Sequence, residues 1–231
     1  CTLIWLPLIP VMVKIVKFII RGEDKKNSEG FVAKYLDDKA MSQPAAAIYM
    51  AAKEISRLSV HAGKMIGAMK NAIEKRNITD IRDKYVDEHD KVKELQNIIV
   101  DFITKLISSG NLTEKQAEQA AGLMVVRHNI ERIADRCDEV DGLYKKILDN
   151  GQLLSDAAIA DLTACMDMTE KIFGESMNAI ITGDSETPDK VAADKKKIRK
   201  LQRQAGKAHL ARVKKNTCVS SLTADYSALL Y

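Results

Sequence analysis

The sequence predicts an all-α chain arranged as tandem three-helix bundles, the second of them truncated. Three observations lead there. Apolar residues recur at heptad-like spacing in five long segments. The 231 residues hold 11 Gly and 4 Pro, which excludes collagenous or low-complexity chains, and 5% aromatics, which argues against a large β-sandwich or barrel. Short patterns also return after 106 or 107 positions.

The elements follow in order. Thr2 to Ile20 is apolar except for Lys14 and Lys17, and Arg21, Lys25 and Lys26 come directly after it. A secretory signal carries its charge before the apolar run, and no small-residue cleavage site follows. Residues 1–22 read as the end of a transmembrane helix leaving on the cytoplasmic side, with Lys14 and Lys17 snorkelling to the headgroups. Pro7 and Pro10 suit a bundled membrane helix. The alternative is an amphipathic helix lying on a membrane or a partner. The first reading puts the chain at the inner (plasma) membrane with its bulk in the cytoplasm. A chain that opens on Cys1 reads as a piece of a longer one.

Residues 23–44 form a linker, polar at first (EDKKNSEG) and then irregular, and Pro44 can open a helix. The first repeat spans 45–151. Its first helix covers about 45–77 with Ile48, Ile55, Ile66 and Ile73 on one face. Its second starts near Asp80 behind a Thr79 cap and stops before Gly110. Its third starts after Thr113 and ends at Asn150–Gly151, a good C-terminal stop. The second repeat spans 152–231 and lacks most of its third helix. Its helices cover about 155–183 and 188–216, and a last one begins near Ser220. The repeat shows in Lys70-Asn71-Ala72-Ile73 against Met177-Asn178-Ala179-Ile180, and in Val92-Lys93-Glu94-Leu95-Gln96 against Ile198-Arg199-Lys200-Leu201-Gln202.

Charge is uneven. The net +4 hides a fifth helix with 11 Lys or Arg and two Asp between Asp189 and Asn216, which leaves −5 for the rest. A solvated face, an anionic leaflet, nucleic acid or an acidic partner would each suit it. No aromatic residue interleaves the cations, so nucleic acid is not expected. The four cysteines stand far apart with no CxxC, which fits a reducing compartment and no zinc site.

The third helix carries Met124, His128, Glu131, Asp135 and Asp138 beside its apolar stripe. Glu131 and Asp135 are one turn apart and can aim oxygens at one point, where a divalent or iron-type ion would bridge them. The same spacing also suits a solvated face with ion pairs to Arg132 and Arg136. Glu88 interrupts the apolar stripe of the second helix, and Asp194 interrupts that of the fifth at the matching place. Either the pair serves chemistry or each acid answers the dipole of a nearby helix N-terminus. A ferritin-like di-iron centre drops out, because none of His61, His89, His128 and His209 follows a Glu by three residues. No Walker loop, GxSxG or HExxH occurs. Cys137 lies on the apolar stripe and reads as a buried thiol.

The run Asn129-Ile130-Glu131-Arg132-Ile133-Ala134-Asp135 resembles the Glu-Arg-Ile-Gly-Asp signature of PhoU domains, and the two three-helix repeats resemble their layout. The apolar start, Tyr35-Leu36-Asp37 and the proline before the first helix resemble the subset that follows the last membrane helix of bacterial sodium/phosphate cotransporters. The resemblance implies metal held by Glu131 and Asp135 with acids of the second helix. Glu88 and Asp194 match the first acid of that pattern, with His89 and Lys195 next to them. Lys93 and Arg199 stand where a later acid belongs, and they could replace the metal's charge with salt bridges. The second copy of the signature would fall about six residues past Tyr231. The candidate metal residues are therefore Glu131, Asp135, Glu88, His89 and Asp194.

The function implied is regulatory and not enzymatic: a tethered cytoplasmic domain acting on the transmembrane part of a phosphate transporter. A free-standing PhoU-like regulator binding a transporter or sensor kinase, and a carboxylate metalloenzyme, are the rival readings. Oligomeric state, a homodimer included, stays open.

Overall fold

Among the described residues the chain forms six α-helices, five of them on the long periodic segments. The computed structural model describes residues 32–183 and 187–231. The transmembrane reading of residues 1–22 lies outside them. No helix among the described residues is long and apolar enough to cross a membrane.

A 3-10 turn, Asp38–Ser42, is opened by Asp37, whose Oδ1 accepts from the Lys39 N–H at 2.9 Å. Helix α1, Pro44–Lys75, begins with its proline at the first turn, where no N–H is needed. It ends at Arg76 in the left-handed region (φ 52°), with the Asn77 N–H returning to Ala72 O at 3.1 Å. Helix α2, Thr79–Ser108, differs from expectation at its start. Thr79 is the first helical residue rather than the cap, and the Asn77 side chain accepts its N–H at 2.9 Å. Helix α3, Glu114–Asp149, opens with a reciprocal capping box between Thr113 and Gln116. Gly151 (φ 66°) follows it, a backbone state that costs glycine nothing. Helix α4, Asp156–Thr182, is capped by Ser155 and stopped by Gly183 (φ 69°). Helix α5, Thr187–Lys214, and helix α6, Thr223–Leu230, complete the chain, with a 3-10 turn Ser220–Leu222 between them.

The helices form two antiparallel hairpins. Helix α1 packs on α2, and α4 on α5; α3 closes the first set against α1 and α2. The short α6 rests on α3, α5 and α4. Helix α1 also packs on α4, so the two repeats share a core. One apolar cluster runs from Ile73 through Tyr144, Ile147 and Leu162 to Ala205, Tyr226 and Leu230. Tyr144 closes it by donating to Ile73 O at 3.3 Å. Residues 33–231 accordingly make one compact unit.

Candidate functional site

The acids that interrupt two apolar stripes define the site. Glu88 stands in the third turn of α2, and Asp194 lies beyond the first turn of α5. Both are too far in for the N-terminal dipole, which fades within a turn, to explain them. Each instead reaches across to the preceding helix. Glu88 Oε2 meets His61 Nδ1, and its Oε1 accepts from Lys64 Nζ at 3.0 Å, both on α1. Lys91 Nζ adds a second ammonium at 3.6 Å. Asp194 is 1% exposed. Its Oδ2 accepts from Lys171 Nζ of α4 at 2.8 Å, and its Oδ1 from Lys197 Nζ at 2.7 Å.

The two locks are copies of one arrangement. Lys64 and Lys171 are 107 positions apart, while Glu88 and Asp194, and Lys91 and Lys197, are 106 apart. These are the offsets of the sequence repeat. The hydrogen bonds from Lys171 and then Lys197 hold the Asp194 carboxyl down at about 2. Burial alone would raise Glu88, but the bonds from His61 and Lys64 outweigh it and keep the carboxyl below its usual range.

The other expected residues are drawn apart. His89 turns to α3, where Nε2 meets Asp138 Oδ2 at 3.0 Å, while the adjacent Glu88 faces α1. Tyr85 OH donates to Asp138 as well, and burial followed by that bond raises its pKa. Glu131 pairs along its own helix with Arg127 at 3.0 Å and His128 at 3.1 Å. Asp135 is exposed. Among the described residues no group of three His, Cys, Asp or Glu side chains gathers as metal ligands do. The oxygens of Glu88 and Asp194 already take charged donors, so the donor set as arranged does not fit a metal ion.

Lys93 and Arg199, expected to neutralise the acids, are exposed, and the lysines at 64, 91, 171 and 197 do so instead. The signal was present in the sequence as an acid followed three residues later by lysine in both repeats. Cys137 is buried as expected, and burial pushes its thiol up to about 12.

One further site has no sequence signal. Glu54 is 0% exposed. Its Oε2 accepts from the backbone N–H of Lys34 at 2.9 Å and of Tyr35 at 2.8 Å. Its Oε1 accepts from Arg57 at 2.6 Å. A buried carboxylate thus fastens the segment leading into the bundle onto α1.

The family model described as the PhoU domain matches residues 55–141. That stretch runs from within α1, through α2, into α3, and so contains Glu88, Glu131 and Asp135. The all-helical architecture is consistent with PhoU helical bundles, whose role is regulatory and not enzymatic. No curated protein and no solved structure matches the chain.

Proposed function

We propose that the chain is the cytoplasmic PhoU-like regulatory domain of a sodium-dependent phosphate transporter, tethered by its apolar N-terminal run. The observation that carries this reading is the PhoU match over residues 55–141 downstream of an apolar, lysine-bordered segment. The Glu54 fastening supports it, because a tether regulates only if pull on it reaches the bundle. With Lys34 and Tyr35 bound to a buried carboxylate on α1, displacement of the lead-in segment moves α1 itself. The partner is the transmembrane part of the transporter, biased through that segment. Each acid locked between lysines holds its hairpin rigid without a metal ion.

The test has two measurements on residues 1–231 expressed in bacterial cells. The tethered reading expects the chain in membranes that survive a carbonate wash, and a change in sodium-dependent phosphate uptake that Glu54→Gln reduces. A chain washed off by carbonate but still altering uptake would support the free-standing regulator. Unaltered uptake with a membrane-bound chain would overturn the regulatory reading.

A further inference from the structure

Helix α5 presents a single-sign face. At about 100° per residue, Lys196, Arg199, Lys200, Arg203, Lys207 and Lys214 fall within an arc of roughly 100°, opposite the buried Asp194, Ala205 and His209. The six span about 27 Å. The acids of the helix are Asp189, in its first turn, and buried Asp194. Among the described residues, the α5 cations that form ion pairs are Lys190 with Glu175, Lys197 with Asp194 and Arg212 with Asp161. The six stripe cations take part in none of them. A face kept only for solubility mixes signs and gains from i, i+4 pairs, whereas this one pays self-repulsion along its length.

Two further features choose the partner. Leu210 is 51% exposed and falls inside the basic arc, between Lys207 and Lys214. Beside it, a cleft of about 320 Å³ between α5 and α6 is lined by Lys207, Leu210 and Tyr226. A straight row of cations around an exposed leucine suits a lipid headgroup layer. Nucleic acid would find cations here but no stacking platform among them. We infer that the outer face of α5 docks on an anionic lipid surface, its cations against the phosphates and Leu210 between the headgroups.

The test is lysine acetylation of the full chain, read by mass spectrometry, with phosphatidylcholine vesicles against vesicles that also contain phosphatidylglycerol. Lys196, Lys200, Lys207 and Lys214 should react about fivefold more slowly on the anionic vesicles, with Lys93 and Lys115 unchanged. Lys196, Lys200 and Lys207 together changed to Gln should weaken α5 docking roughly 100-fold, read as lost protection of Lys214, while the melting curve holds. The local readout separates α5 from the apolar N-terminal run, so this inference and the tether can fail separately. Equal reactivity on both vesicle types, or protection by duplex DNA and not by vesicles, would overturn it.

Discussion

Changing Glu54 to Gln probes the fastening on which the proposed coupling depends. The carboxylate takes two backbone donors on Oε2 and the Arg57 guanidinium on Oε1. Gln keeps the shape but offers one accepting oxygen. If that oxygen faces Lys34 and Tyr35, the new NH2 confronts Arg57; the reverse flip confronts two backbone N–H groups. The first arrangement costs less, since Arg57 is partly exposed and can turn towards water. Hydrogen bonds to a charged group contribute about 1.5–3 kcal/mol each, so the loss is about 2–3 kcal/mol. For a chain of this size that lowers the midpoint by roughly 4–12 °C. Glu54→Ala orphans all three donors and costs about 3–5 kcal/mol. Thermal unfolding gives the total, and amide exchange at Lys34 and Tyr35 gives the local effect, with faster exchange expected in both variants. A midpoint within 1 °C of the parent, with exchange at those amides unchanged, would refute the fastening.

Other outcomes follow from the same geometry. Asp194 is held at about 2, below its ordinary 3.8, so its stabilisation is full above about pH 4 and is lost as pH falls through about 2. Urea titrations of Asp194→Asn should therefore differ from the parent at pH 6 and converge with it near pH 2. Leu162→Ala, in the core shared by both repeats, should cost about 2–5 kcal/mol and still unfold in one transition; two transitions would deny the shared core. Thiol labelling should reach half-buried Cys218 before Cys137 and Cys165, whose thiols burial raises to about 12 and about 11. EDTA, or added Mg²⁺, Mn²⁺ or Zn²⁺, should leave the melting curve in place, and a midpoint rising with ion concentration would restore a metal site.

The helices were legible because period and punctuation agreed. Ser155, Thr113, Gly151 and Gly183 mark ends that side-chain caps and positive φ angles then enforce. The start of α2 differs because Thr79 is already helical and gives its own N–H to the Asn77 side chain instead of capping the residues after it. The acids of the site were legible as faults in apolar stripes, but their partners were not. Lys93 is five residues from Glu88, about 140° round the helix, whereas Lys91, three residues on, shares its face. Lys64 and Lys171 were hidden because choosing among the lysines of α1 and α4 requires the register between helices. The Glu54 contact left no trace at all, because its long-range partners are backbone N–H groups.

The two locks limit how this bundle can respond. Lys64 and Glu88 tie α1 to α2, and Lys171 and Asp194 tie α4 to α5 at the corresponding place. Helix α1 then packs on α4, and one cluster of buried residues crosses both repeats. A packed core of this kind transmits displacement rather than deforming continuously. Its interior acids are neutralised in place, so they hold no charge in reserve for an incoming cation. The cations of the α5 stripe, which form no ion pair among the described residues, lie on the opposite face of that helix from Asp194. On the proposed reading, regulation by such a body works through where it sits, on the lead-in segment held by Glu54 and on the surface that α5 is inferred to meet, rather than by opening its centre.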